Sequence, residues 1–377
     1  MFPQASGLAS SWMTRYSGGI RQEITVVTIE PLWKRKYEIL KGYIAANPEI
    51  HIASDEVCVP EKARNGFYDC FDGVRRAFVE SWLGALPLDA HTLAKNYAES
   101  ENRICRIVNH GVEMPLDLSL FLHDPEQGAM RLIYNRLFEL LQGKIHEDDF
   151  ERIAERCLAE DAPMLFRLGY AAWSALAIIL QLEPDEFFGV ALDKENAPCV
   201  AGIEKIAFGR QFHHQAKRIP EFMFHSKKLG SYVAFKMPPA REVEAYKVPT
   251  EMPTQRLLRN RNGDSSDVLD YRMMFLSVAR DVTKIPVFAD LHKRTVSGPD
   301  IAIEYLMKQD VSDGKTIQGI KTRMEILKPR LGGYALIMNP SESESFDIGE
   351  NINAVSAGLN PLGFQPVIDK LVQETNR

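Results

Sequence analysis

Basic side chains and histidines gather in one stretch of an otherwise acidic chain. The segment from Lys205 to Arg261 contains 12 Lys and Arg residues against 4 Asp and Glu, and the rest of the chain carries 33 basic and 47 acidic residues. Potentials from like charges add over a surface and steer a partner of opposite charge toward it. The segregated charge therefore predicts a site for an anion.

A helix over Ile203 to Arg218 would give this segment one apolar side and one basic side. Arginine offers a planar fork that fits phosphate or carboxylate, and lysine offers a point charge. By helical spacing, the residues expected to contact the anion are Arg210, His213, His214, Lys217 and Arg218. The auxiliary contacts would be Arg256, Arg259 and Arg261. The alternative is a solvated basic face packed near acidic helices.

The histidines of this stretch do not form a metal-binding motif. His213 and His214 are adjacent, so on a helix their side chains point about 100° apart and do not share one ion. A zinc helix of the His-Glu-x-x-His type needs two histidines four residues apart, and His225 lies too far along the chain. The neighbouring Arg and Lys residues would also repel a cation, so no metal site is predicted here.

A second candidate set is acidic and lies near the C-terminus. Asp300 follows Pro299, Glu304 comes four residues later, and Lys308 would share a strand face with Glu304. The predicted helix–strand–strand–helix–strand order around them resembles that of the restriction-endonuclease-like core. The resemblance implies an Mg²⁺-dependent hydrolase or nuclease using Asp300, Glu304 and Lys308, although Leu306 stands where that family's Glu-x-Lys motif has its lysine. Scattered surface acids are the alternative.

Short motifs elsewhere are weak or absent. His123-Asp124 resembles the dipeptide of HD metal hydrolases, but Asp124-Pro125 also favours a turn and a helix N-terminus. The sequence has no Walker A loop, no G-x-G-x-x-G and no G-x-S-x-G elbow, so it leaves the identity of any cofactor unknown. Gly332-Gly333 is predicted to form a turn rather than a phosphate cradle.

Helical periodicity dominates the chain from Pro31 to Pro184. An apolar stripe runs along residues 64–83 through Phe67, Phe71, Val74, Phe78 and Trp82. A further amphipathic helix is predicted over Gln127–Leu141, and Asp89 and either Asp148 or Asp149 are expected to cap helices. These features predict a helical bundle.

The pattern changes after the proline-rich stretch Met237–Pro253. The predicted elements are a helix over Ser266–Val282, strands over Ile285–Leu291, Ile301–Met307 and Tyr334–Met338, and helices over Lys315–Leu327 and Gln365–Gln373. We therefore expect an N-terminal helical bundle followed by a small mixed α/β domain. The predicted boundaries are 1–236 for the bundle with its basic segment, 237–256 for the linker and 257–377 for the α/β domain.

The composition of the chain indicates the class of protein and the cellular compartment. Hydrophobic residues make up 45% and charged residues 25% of the chain, as in globular proteins, and the net charge is −6. Five cysteines without a C-x-x-C pair fit a reducing compartment. The longest apolar run, Leu168–Leu182, is shorter than the roughly 20 residues of a membrane span, and the N-terminus does not have the pattern of a signal peptide. We expect a cytoplasmic protein that does not bind membranes.

Three functional classes remain open from the sequence. The first is a binding protein that engages an acidic partner surface, a phosphate-bearing ligand or nucleic acid through the basic segment near the predicted domain junction. The second is the metal-dependent hydrolase with its site in the C-terminal domain. The third is a structural subunit whose basic segment docks onto an acidic surface.

Overall fold

A computed structural model describes residues 31–83, 89–108, 111–208, 217–237, 273–290, 297–338, 348–349 and 352–375. Its helices are α1 (Leu32–Ala46), α2 (Glu61–Leu83), α3 (Asp89–Val108), α4 (Leu116–His123), α5 (Pro125–Leu132), α6 (Tyr134–Leu141), α7 (Glu147–Gln181), α8 (Lys308–Val311), α9 (Gly314–Leu327) and α10 (Gln365–Thr375). A 3₁₀ helix (Pro361–Phe364) precedes α10.

The strands are mostly in the second half of the chain. They are β1 (His51–Ile52), β2 (Val57–Cys58), β3 (Val112–Glu113), β4 (Pro184–Leu192), β5 (Pro198–Ala201), β6 (Ile206–Ala207), β7 (Lys217–Arg218), β8 (Phe222–Ser226), β9 (Ser231–Lys236), β10 (Met273–Ala279), β11 (Ala289–Asp290), β12 (Ile301–Met307), β13 (Gly332–Met338) and β14 (Ile352–Ser356). The mixed α/β class expected from the sequence is confirmed.

The helical first half has its own aromatic core. Phe67, Phe71, Val74 and Phe78 of α2 are buried in it, together with Trp33 of α1. Burial of large apolar side chains stabilises such a helix pair by roughly 1.5–3 kcal/mol per residue. The predicted apolar stripe is therefore a packing surface.

Three predicted helix boundaries need correction. The helix expected over Gln127–Leu141 is divided at Ile133 into α5 and α6. Asp89 is the first residue of α3 rather than its cap. His146, not Asp148 or Asp149, precedes α7, and both aspartates lie in the first turn, where negative charge interacts favourably with the helix dipole.

Helix α7 runs through the centre of the molecule. Residues 168–180 are all buried in it, which confirms the predicted buried helix. Among the described residues, α7 is long and apolar enough to cross a membrane, with a mean hydropathy of 1.5 over its most apolar window. However, 83% of that window is buried inside the protein. A core helix passes the same test, so this is weak evidence for a membrane span.

One eight-stranded sheet connects both halves of the described chain. Its order is β14-β13-β12-β10-β9-β8-β4-β5. Strands β12, β13 and β14 are parallel to one another, whereas β10 is antiparallel to both β9 and β12. Since β9 precedes residue 237 and β10 follows residue 256, the sheet continues across the predicted domain boundary. The sheet therefore contains strands from both predicted parts of the chain, and the division into two domains stays a prediction.

The two faces of the sheet pack against different helices. On one face, Met274, Ile303 and Leu336 share a buried core with α3, α7 and α10. On the other, Met273 and Ala302 pack with Met324 of α9. The central strands are covered on both faces, which gives three layers of helix, sheet and helix.

Predictions for the C-terminal part are confirmed in some elements and wrong in others. Strands β12 and β13 and helices α9 and α10 match the predicted elements. The helix expected over Ser266–Val282 is wrong at its end, because residues 273–279 form β10. The strand expected over Ile285–Leu291 is reduced to the two residues of β11. Most of the predicted linker lies outside the described residues.

Candidate anion-binding site

The predicted basic segment is described only in part. Arg210, His213 and His214 lie outside the described residues, as do Arg256, Arg259 and Arg261. Lys217 and Arg218 form β7, whose backbone pairs antiparallel with β11. The helix expected over 203–218 is wrong at both described ends, because residues 206–207 form β6, which pairs in parallel with β3.

The part of the basic segment that follows β7 lies on the α9 side of the sheet. Ile219, directly after β7, is buried against Met223 and Ala234. In the alternating pattern of β8 and β9, these two residues point away from the α7 side, where Phe224 and Val233 are buried. The segment therefore approaches the sheet from the face that α9 covers.

Both predicted metal-binding carboxylates are occupied by arginines. Asp300 Oδ2 accepts the Val278 backbone N–H at 2.7 Å, and its Oδ1 accepts Arg330 Nε–H at 2.7 Å. The buried carboxylate of Glu304 accepts Arg323 Nε–H at 2.5 Å. These contacts explain how two acidic side chains are accommodated at or near the interior, since a buried charge requires a partner.

Lys308 and Asp300 lie at opposite ends of β12. Lys308 lies beyond the end of β12 as the first residue of α8, whereas Asp300 precedes that strand. Among the described residues, no group of three or more His, Cys, Asp or Glu side chains is arranged to hold a metal ion. The geometry favours structural ion pairs for Asp300 and Glu304.

Two other predicted features have structural roles. His225 Nδ1 lies 2.7 Å from Asp185 Oδ1, and this hydrogen bond is the main reason that the pKa of Asp185 is lowered. Asp124 caps α5, because its Oδ1 accepts the backbone N–H groups of Glu126 and Gln127, both at 3.1 Å. The predicted turn and helix start at Asp124-Pro125 is thus confirmed.

A basic cavity of about 650 Å³ lies where α9 ends and β13 begins. Its cationic lining comes from Lys321, Lys328 and Arg330, and Glu325 is its acidic lining residue. Gly332 and Gly333 contribute backbone beside these side chains. This volume falls within the roughly 300–1,000 Å³ of small-molecule sites. We name it the basic cavity.

Local backbone geometry positions the three cations. Asp313 caps the start of α9, since its carboxylate accepts the backbone N–H groups of Lys315 and Thr316. At the other end, Lys328 adopts a left-handed conformation with φ 45° and turns the chain into Pro329. This turn ends the helix and brings Arg330 to the rim of the cavity.

A glycine makes room for Lys321. Gly349 has φ 132°, and a Cβ atom on it would lie only 3.0 Å from Lys321 Cε. The stem of this half-buried lysine therefore passes directly over the glycine backbone. Close approach of this kind is a position where only glycine fits without displacement.

The charged side chains described around the basic cavity are mostly positive. The Arg330 guanidinium is 60% exposed, and its pKa is raised mainly because it donates a hydrogen bond to Asp300. The last turn of α9 carries a partial negative charge that Lys328 also offsets. Among the described lining residues Lys321 and Lys328 outnumber Glu325, and this balance favours an anion.

Sequence reasoning missed this site. Gly332-Gly333, predicted to be a turn, are the first residues of β13, with Gly332 at φ 132°. The signals present were the run Lys328-Pro329-Arg330 followed by two glycines. Nothing in the sequence linked that run to Lys321 or Gly349, because the helix and the sheet bring them together.

Comparisons with known proteins give no information on the function of the basic cavity. The sequence matches no protein-family model, and comparisons with curated proteins and with solved structures give no significant match.

Proposed function

We propose that this protein binds a small phosphate-bearing or carboxylate-bearing ligand in the basic cavity. The observation that carries the proposal is the grouping of Lys321, Lys328 and Arg330 around a cavity of about 650 Å³. Lysine and arginine form charge-assisted hydrogen bonds with such anions that are about twice as strong as neutral ones. The proposal belongs to the binding class predicted from the basic segment but assigns the contacts to different residues.

The basic segment supports the proposal through its placement. Strand β7 and α9 lie on the same side of the sheet, and Phe288, next to β11, is buried with Met324 of α9. We propose that the segment guides the anion toward the basic cavity.

The alternative of a metal-dependent hydrolase has less support. Its carboxylates, Asp300 and Glu304, are paired with Arg330 and Arg323. An arginine in contact with a carboxylate competes with a divalent cation for the same oxygens. Binding of an anion beside Arg330 requires no change in these pairs.

Calorimetric titration with inorganic pyrophosphate tests the proposal. The variant Lys321→Gln/Lys328→Gln should bind about tenfold more weakly or worse, a loss of roughly 1.4 kcal/mol or more. The control Lys62→Gln/Lys315→Gln removes two exposed lysines elsewhere and should bind like the parent protein. If both double variants bind equally, the lysines of the cavity serve only helix stability and the proposal is wrong.

Ionic strength separates a small anion from nucleic acid. A ligand that neutralises two or three cations should lose affinity modestly with added salt, whereas a nucleic-acid site with 6–10 phosphate contacts loses about 10³–10⁵ between 50 and 200 mM salt. A steep salt dependence with oligonucleotides and no pyrophosphate binding would favour nucleic acid as the partner.

We also propose that the protein works in the cytoplasm. All five cysteines are free thiols, and Cys58 is exposed, which suits a reducing compartment. Fractionation of cells producing the full chain, with the thiols titrated in each fraction, tests this.

A further inference from the structure

The basic cavity has apolar lining residues as well as cations. Met324 of α9, Leu331 before β13 and Ile352 at the start of β14 line it, and each is also part of a hydrophobic core. Met324 follows Lys321 by three residues, so the two side chains lie on one face of the helix. The cavity therefore presents apolar surface directly beside a cation.

The volume of the basic cavity exceeds that of a bare anion. The cavity measures about 650 Å³, whereas a phosphate group fills on the order of 100 Å³, the space of roughly three or four waters. Small-molecule sites combine mainly apolar lining with a few polar groups that fix the orientation of the ligand. The size and lining of the cavity thus suit an anion that carries an apolar group.

Glycines supply part of the wall as bare backbone. Gly332, Gly333 and Gly349 line the cavity. At Gly332, a Cβ atom would have its nearest neighbour, the Asn353 amide nitrogen, at 3.5 Å, which is an ordinary van der Waals distance. A flat group of a ligand can therefore lie against this backbone with no glycine side chain in the way.

Arg330 is held by one edge of its guanidinium. Its Nε–H donates to Asp300 Oδ1 at 2.7 Å, and Asp300 is itself fixed by the backbone N–H of Val278. Because Nε is used in this contact, the two terminal amino groups are the donors that a ligand would meet. A planar guanidinium binds a phosphate or carboxylate through such amino groups and stacks on an aromatic ring through its face.

We propose that the ligand of the basic cavity is a phosphate or carboxylate that carries an aromatic group. This inference rests on the proposed function and specifies the class of ligand. The anionic group would contact Lys321, Lys328 and Arg330. The aromatic group would lie against Met324 and Ile352, since contacts between methionine sulfur and aromatic rings are favourable and removal of the ring from water adds affinity.

Calorimetric titration with two phosphate monoesters tests the proposal. Phenyl phosphate and methyl phosphate carry the same charged group, so a difference in their affinities reports the aromatic group. Phenyl phosphate should bind at least about tenfold more tightly. If methyl phosphate binds and phenyl phosphate binds no more tightly, this inference is wrong while the proposed function stands. If neither ester nor pyrophosphate binds, the proposed function is wrong and this inference falls with it.

NMR of protein labelled with ¹³C in its methionine methyl groups locates the ring. Protons of bound phenyl phosphate should give nuclear Overhauser effects to the Met324 methyl group. Met307 is the matched control, because it lies at the far end of β12, seven residues or about 20 Å from the cavity end. Met324→Leu keeps the volume of the side chain and identifies the Met324 signal by its loss. Effects to Met307 and not to Met324 would overturn the inference.

A polar substitution distinguishes contact with the ring from a purely structural role of Met324. Met324→Gln should reduce the preference for phenyl phosphate over methyl phosphate to less than about threefold, because the ring loses its apolar contact. Binding of methyl phosphate should stay close to that of the parent protein. Met164→Gln makes the same change on α7, outside the cavity, and should keep the full preference. An unchanged preference in Met324→Gln would contradict the proposal.

Discussion

Arg323 and Glu304 form a buried ion pair between α9 and β12. The Nε of the arginine lies 2.5 Å from Oε1 of the glutamate, and the two side chains are 8% and 1% exposed. This contact fixes α9 over the sheet and thereby holds Lys321, two residues earlier on the same helix, near the basic cavity. A carboxylate that the sequence offered as a metal ligand thus supports the proposed anion site indirectly.

Glu304→Gln should destabilise the fold strongly. Glu304→Gln removes the carboxylate charge that Arg323 contacts in the interior, and breaking a buried ion pair in this way costs about 3–5 kcal/mol. Urea unfolding measures the change in the free energy of unfolding. The exposed pair Glu38–Lys41 supplies the control, since Glu38→Gln should cost about 0–1 kcal/mol. A Glu304→Gln protein as stable as the parent would show that the pair is not formed.

Lys328→Gly should keep or raise stability while it removes a cation from the basic cavity. Lys328 has φ 45°, a left-handed conformation that costs a residue with a Cβ atom roughly 1–2 kcal/mol and costs glycine much less. Lys328→Ala keeps the strain and is the matched comparison. Thermal unfolding should place the glycine variant above the alanine variant, and the reverse order would contradict the described end of α9.

Gly349→Ala should weaken both the fold and pyrophosphate binding. The new Cβ atom would lie 3.0 Å from Lys321 Cε, so the end of the lysine must shift by a few tenths of an ångström, and the φ of 132° adds backbone strain. Gly143 also has a positive φ, 67°, but has open space around it. Gly143→Ala therefore carries backbone strain alone, about 1 kcal/mol or more, with no loss of binding. If Gly349→Ala and Gly143→Ala bind pyrophosphate equally well, Gly349 is not part of the binding site.

His225→Gln should raise the pKa of Asp185 toward its ordinary value of 3.8. In the parent protein this pKa is lowered, so the contact stabilises the fold above pH 3.8 and the contribution is lost as the pH falls through the lowered value. Titration of the carboxyl carbons by NMR measures the shift. Asp313, whose pKa is lowered mainly by the Thr316 hydroxyl, should not respond. An unchanged Asp185 titration would contradict the described contact.

Local patterns identified much of the helical half and several C-terminal elements, but not the central sheet. Residues 273–276 of β10 are all buried, with alternate side chains in the cores of opposite faces. A strand covered on both faces shows a continuous apolar run rather than alternation, and periodicity does not distinguish this from a buried helix. The prediction of two domains followed instead from the proline-rich stretch Met237–Pro253 and the change of pattern after it.

The sequence did not predict the basic cavity, and the reason is different. Strand β7 pairs with β11, and Gly349 lies against Lys321 of α9. These pairings join residues far apart in the chain through backbone contacts that carry little residue-specific signal. The sequence did indicate the chemistry, since segregated positive charge pointed to an anion, but it could not indicate the cavity in which that charge is presented.

The most direct test of the central claim is an NMR titration of protein labelled with ¹⁵N-glycine. We predict that pyrophosphate shifts the amide signals of Gly332, Gly333 and Gly349, which line the basic cavity, and leaves those of Gly143 and Gly230 in place. Lys321→Gln/Lys328→Gln should abolish these shifts. Absent shifts, or shifts confined to glycines away from the basic cavity, would contradict the account.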